Sequence, residues 1–137
     1  MGLAADTPLE SLSFTVTRAD LVRYAGASGD FNPIHWSDRV ATSVGLPGVI
    51  AHGMFTMALL ARAVATWSDG AEVVEIGGKF TNLVVVPDTD AGTVIEFSGR
   101  VSSVGDGLAT IAVEATCDGQ KVLGNPKAVV RIEPDRG

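Results

Sequence analysis

One cysteine, Cys117, stands in 137 residues, so no intrachain disulfide can form and a disulfide-stapled secreted scaffold is excluded. A reducing cytoplasm is the expected compartment. Basic side chains are also scarce: ten Lys and Arg against sixteen Asp and Glu leave a formal net charge of -6. That balance lacks the clustered positive charge that displaces counterions from phosphates, so nucleic acid is not an expected partner. No charge run, low-complexity tract, internal repeat or long Pro/Gly/Ser linker interrupts the chain, which leaves one domain over residues 1–137 with residues 1–10 expected to be flexible. Met1 to Glu10 lacks the basic start and apolar core of a signal peptide. The longest apolar stretch, Met54 to Trp67, is too short to span a bilayer and carries Arg62. No membrane association is expected.

What the chain does have is 46% hydrophobic residues, spaced in two different ways on either side of Gly70. Before that point the spacing is helical. Leu21, Val22 and Ala25 follow a candidate N-cap at Thr17 or Asp20, and Ser37 or Asp38 can cap a short helix through Val44. Met54 through Trp67 is apolar on every face except at Thr56, Arg62 and Thr66, the pattern of a helix enclosed by protein. After Gly70 the period becomes two. Ile95, Phe97 and Val101 alternate with Glu96, Ser98 and Arg100, and Ile111 and Val113 alternate with Thr110, Ala112 and Glu114. Gly105-Asp106-Gly107 and Asp118-Gly119 are tight hairpin signals, and Ala128 to Ile132 makes a last strand. The expected fold class is α+β: an antiparallel sheet wrapped around one long buried helix, the hot-dog arrangement. Such a sheet leaves an edge strand and part of the helix uncovered, which favours a homodimer or a heterodimer with a related subunit.

Chemistry concentrates in Tyr24-Ala-Gly-Ala-Ser-Gly-Asp30-Phe-Asn32-Pro33-Ile-His35-Trp36, and then in Ala51-His52-Gly53-Met54. Pro33 keeps Asn32 out of the α region and stiffens the loop, so Asp30 and His35 can face one site. A carboxylate beside an imidazole can take a proton from water and return one to carbon near neutral pH, with either group as the base. Gly53 opens the buried helix, where unpaired amides and the helix dipole suit a developing oxyanion, and it lets a ligand approach the backbone.

These segments resemble the MaoC-like family of (R)-specific enoyl-CoA hydratases and (3R)-hydroxyacyl-thioester dehydratases, whose pattern Gly-Asp-x-Asn-Pro-x-His followed by His-Gly-Met stands here at Gly29 to His35 and His52 to Met54. The flanks Asn-Pro-Ile-His-Trp, Val-Gly-Leu and Ile-Ala-His-Gly-Met look especially like the catalytic subunits of mycobacterial hydroxyacyl-ACP dehydratases. The resemblance implies a hydro-lyase acting on an acyl-CoA or acyl carrier protein thioester without cofactor or metal. It implies that Asp30 and His35 hold the water and move its protons, that Asn32 supports the loop, and that the Gly53 amide binds the thioester oxygen. Gly53, Asn32, His52 and Met54 are the expected substrate-side residues. Some members carry a serine on the buried helix, where this chain offers Thr56 and Thr66.

Other readings of the same residues are weaker. Asp, Asn and Pro are turn formers in their own right. His52 could join Asp30 and His35 around a metal, but no tight His-x-x-His or Cys-x-x-Cys spacing accompanies it. Gly26-Ala-Ser28-Gly29 lacks the spacing of a nucleophile elbow, which leaves Ser28 a loop residue. Gly77-Gly78-Lys79 lacks the upstream glycine of a phosphate loop and reads as a bulged strand. Trp36, Trp67, Met54 and Met57 are expected in the core or along a tunnel, and Cys117 continues the inward register of its strand. Lys79, Arg100, Lys121, Lys127 and Arg131 read as scattered surface charge. Ala58, Ala61, Ala63 and Ala65 suggest room for a medium or long acyl chain. A noncatalytic partner subunit and a hot-dog thioesterase are the competing functions.

Overall fold

A computed structural model describes residues 3–132. Nine residues, Pro8–Val16, form β1, and Thr17 then caps α1 (Arg18–Ser28). Both halves of the capping box are present: the Thr17 hydroxyl accepts from the Asp20 amide, and the Asp20 carboxylate accepts from the Thr17 amide. Gly29 ends α1 in the left-handed region, at φ 78°, a conformation glycine adopts without strain. A 3-10 turn spans Pro33–His35, Ser37 caps α2 (Asp38–Ser43), and α3 runs from Gly53 to Trp67.

The second half is sheet. β2 (Val73–Phe80), β3 (Thr93–Gly105), β4 (Leu108–Cys117), β5 (Gln120–Lys121) and β6 (Leu123–Arg131) join β1 in the order β1-β3-β4-β6-β2, with β5 on β4. All pairs are antiparallel. Asp106-Gly107 and Asp118-Gly119 have positive φ at both residues, the geometry of two-residue hairpin turns whose twist matches the strands. The predicted alternation holds: Ile95, Phe97, Val101, Ile111, Val113, Ala115 and Cys117 all point inward. They meet Leu59, Leu60, Ala63 and Val64 of α3 in one core cluster. Each large side chain buried there contributes about 1.5–3 kcal/mol. The α+β hot-dog arrangement is the observed one.

Three expectations need correction. The flexible stretch over residues 1–10 does not extend to Pro8, Leu9 and Glu10, which open β1; Leu3, Leu9 and Leu12 pack on the core, and a bulge between Leu9 and Leu12 interrupts the period that would have marked the strand. Nor is α3 enclosed on every side. Met54, Ala58, Arg62 and Ala65 are exposed, so its apolar periphery includes one open stripe within the single chain. Trp36 is likewise 53% exposed, its indole N–H donating to the Phe31 carbonyl at 2.9 Å. Gly77-Gly78 does sit at a register shift in β2, the edge strand. No helix is long and apolar enough to cross a membrane among the described residues.

Candidate active site

A ladder of side-chain turns shapes the loop after α1. The Ser28 hydroxyl accepts from the Asp30 amide, Asp30 Oδ1 from the Asn32 amide, and Asn32 Oδ1 from the Ile34 amide, each at 3.2 Å. Every second residue thus lends an oxygen to the amide two positions on. Pro33 follows Asn32, whose backbone is held extended at ψ 124°. One oxygen of Asp30 is occupied by this ladder, and the other, Oδ2, lies 3.9 Å from His35 Nε2.

His35 is buried, and its Nδ1 lies 2.7 Å from the Ile50 carbonyl. A carbonyl only accepts, so Nδ1 carries the hydrogen, and in the neutral ring Nε2 then keeps a lone pair toward Asp30. The strand-like segment before α3 is fixed in turn by an isolated bridge between Ile50 and Val85, by the Ala51 amide donating to the Val84 carbonyl, and by Val49 donating to Asp38 Oδ1 at 3.1 Å. Asp38 also receives the Arg18 guanidinium at 2.9 Å. The Val49 amide and the Arg18 charge hold the Asp38 carboxyl below the usual 3.8.

Asp30, His35, His52, Gly53, Met54, Tyr24 and Ser28 line one cavity of about 460 Å³. Its far wall comes from the sheet side: Phe80, Asn82, Leu83, Val84 and Val122. The Thr81 hydroxyl and the Asn82 amide both donate to the Lys121 carbonyl at 2.7 Å, fixing the end of β2 beside the cavity. Gly53 is the first residue of α3, and neither its amide nor that of Met54 has a carbonyl acceptor among the described residues. A methyl on Gly53 would stand 2.9 Å from the Phe80 ring tip, so only glycine lets that ring lie over the helix start.

The expected residues converge with some differences of role. Asn32 braces the loop and is not in the cavity wall, whereas Ser28, expected only as a loop residue, ends α1 and reaches the wall. Thr56 lines the cavity, but Ala58, Ala61, Ala63 and Ala65 do not. His52 makes no side-chain cap on α3; its Nε2 instead lies 3.1 Å from the Asp30 carbonyl. Its ring stacks on His35 with centroids 3.8 Å apart. Donor atoms of Asp30, His35 and His52 fall within 4.8 Å of one another, but stacked imidazoles present their nitrogens side by side, unlike a tetrahedral ligand set. Cys117 lies in the core cluster, where burial pushes its thiol up. Tyr24, which opens the segment carrying Asp30 and His35, lines the cavity from α1; nothing in the local sequence marks Phe80, Asn82 and Val122, which enter the wall through strand pairing.

Residues 3–121 match the family model for the MaoC like domain. The chain belongs to this family. It is 41% identical over 85 residues to 3-hydroxyacyl-thioester dehydratase X of Mycobacterium tuberculosis, covering 61% of this chain and 29% of that protein. It is 36% identical over 81 residues to the fatty acid synthase subunit beta of Saccharomyces cerevisiae, covering 58% of this chain and 4% of the subunit. The chain therefore spans under a third of the length of these curated relatives. A solved MaoC-like dehydratase superposes with a TM-score of 0.90 at 36% identity, over 96% of this chain and 41% of that one.

Proposed function

We propose that this MaoC-like domain is a hydro-lyase that interconverts trans-2-enoyl and (3R)-hydroxyacyl thioesters, carried on coenzyme A or acyl carrier protein, with Asp30 and His35 as its acid/base pair. The observation that carries the reading is the placement of His35 Nε2 3.9 Å from Asp30 Oδ2, with Nδ1 held by the Ile50 carbonyl, so that the neutral ring offers Nε2 as a proton acceptor. That gap is too long for a direct hydrogen bond, and a water about 2.8 Å from each atom would bridge it. In hydration, the water oxygen bonds to C3 as its proton passes to the pair, and the pair returns a proton to C2. The bare Nε2 favours His35 as the group that takes the proton from water. Negative charge gathers meanwhile on the thioester oxygen. The Gly53 amide at the start of α3 has no carbonyl acceptor among the described residues, which supports its reading as the donor to that oxygen. Dehydration runs through the same groups in reverse.

Dehydratase X and the solved MaoC-like dehydratase support this class of reaction by name and likeness. Val73 and Val74 are exposed on the edge strand β2, and Met54 is exposed on α3. They favour pairing with a second hot-dog domain, either another copy or a related chain.

The test follows the conjugated enoyl-thioester absorbance while the protein acts on trans-2-enoyl-CoA. The wild type should bleach the band, and Asp30→Asn and His35→Ala should each be slower by about a hundredfold or more. Equal rates in either variant would remove that residue from the chemistry.

A further inference from the structure

His52 takes no part in the proton transfers described above, yet it contacts the His35 ring and the main chain of Asp30. It is 3% exposed. Its Nε2, 3.1 Å from the Asp30 carbonyl, must carry the hydrogen, because that oxygen can only accept. Nδ1 of the neutral ring is then bare, and it is buried without a partner among the described residues. One face of the ring lies on His35, 3.8 Å between centroids and 21° from parallel, while the Tyr24 ring meets it edge-on at 4.8 Å. The two stacked imidazoles therefore hold opposite tautomers: His35 donates from Nδ1 to Ile50, and His52 donates from Nε2 to Asp30.

Packing alone does not account for an imidazole at this position. A phenyl ring would fill the same space, keep both ring contacts and leave no orphaned nitrogen. What it would lose is the hold on Asp30. Among the described residues, the His52 bond is the one hydrogen bond tying residues 29–32 to chain beyond Trp36; the others come from the end of α1, where the Gly29 amide donates to the Ala25 carbonyl, from the local turn ladder, and from His35 and Trp36.

We propose that His52 is a positioning residue: through the hydrogen bond from its edge to the Asp30 carbonyl, it sets the spacing across which the pair holds water. The proposal rests on the Asp30 and His35 reading above. Asp30 Oδ1 is already engaged by Asn32, so fixing the main chain of Asp30 leaves Oδ2 one direction to face. A loop released by even about an ångström would lower the rate without altering how the thioester binds.

Two substitutions separate ring from donor. His52→Phe keeps the stack and removes the hydrogen bond; His52→Gln removes the stack and keeps an N–H at a similar reach. The expected result for His52→Phe is a melting temperature equal to or above wild type, kcat lower by about ten- to a hundredfold, and KM within about twofold. His52→Gln should recover much of that kcat. Asp30→Asn, measured alongside, separates the two readings. If it is inactive while His52→Phe keeps kcat within about threefold, His52 does not position the pair and the pair stands. If Asp30→Asn is fully active, both readings fall. Ring nitrogen-15 shifts of the wild type give a readout independent of turnover and of whether any variant folds. Hydrogen on Nε2 of His52 and on Nδ1 of His35 is expected, and hydrogen on Nδ1 of His52 overturns the proposal.

Discussion

Replacing Gly53 by alanine separates the folding and chemical roles of the start of α3. Alanine is the better helix former by about 1 kcal/mol, and no positive φ at Gly53 opposes it. Against this, the new methyl would stand 2.9, 3.0 and 3.2 Å from three atoms of the Phe80 ring. Those atoms are the tip of a side chain that is 58% exposed, so the ring can swing toward solvent with little loss. The two effects nearly cancel, and the melting temperature should move by no more than about 4 °C, equivalent to about 1 kcal/mol in a domain of this size. Activity should respond differently, because the methyl would occupy the space through which a thioester oxygen reaches the Gly53 amide. Loss of one oxyanion donor raises the barrier by about 2.7–4 kcal/mol, or a hundred- to a thousandfold in kcat on trans-2-enoyl-CoA. The double variant Gly53→Ala, Phe80→Ala closes the cycle. If the displaced ring alone caused the loss, removing it would restore the rate; if the methyl blocks the amide, it would not. Wild-type kcat in Gly53→Ala would refute the assignment of this amide to the oxyanion.

Gly92→Ala should lower stability by about 3 kcal/mol, read by thermal unfolding. Gly92 has φ +58°, and a methyl there would run into the Val16 carbonyl, which cannot yield without disturbing the Val16–Thr93 pairing of β1 and β3. Gly70→Ala, at φ +77° but with open space around it, should cost only about 1–2 kcal/mol. Asp38→Ala should melt below wild type at neutral pH, and the deficit should shrink in acid. The Asp38 carboxyl is lowered in the folded state, so its stabilisation is present above the unfolded value of 3.8 and is lost as pH falls through the lower folded one. A deficit that persists unchanged at the lowest pH would show that packing, and not the charge, accounts for it.

The strands were legible where their two faces differ. Ile95 to Val101 and Ile111 to Cys117 bury alternate residues in the predicted register. β1 was not legible, because its bulge breaks the period, and β6 begins at Leu123, ahead of the expected start at Ala128, running through Gly124 and Pro126, residue types that strand interiors disfavour. The helical wall of the site was visible because it is continuous in sequence: Asp30, His35, His52 and Gly53 lie in two short segments. The opposite wall was invisible because Phe80, Asn82 and Val122 reach the cavity only through the pairing of β2 with β6 and the anchoring of residues 81 and 82 on Lys121. Long-range pairing leaves no mark in the spacing of the residues it brings together.

The segment from Ser28 to Ile34 shows a different limit. Its turn-forming composition was plain, and a turn alone would have explained it. The structure adds that the turns are consecutive, each side-chain oxygen accepting from the amide two residues on. Each such bond contributes about 0.5–1.5 kcal/mol, too little to define a fold but enough to order a short exposed loop. The ladder consumes one acceptor from Ser28, Asp30 and Asn32 alike, and only Asp30 has a second carboxylate oxygen left over. Asparagine at position 30 would preserve the ladder through its own carbonyl and supply an amide where Oδ2 now faces His35. That is why Asp30→Asn, rather than Asp30→Ala, is the substitution that tests the charge without releasing the loop.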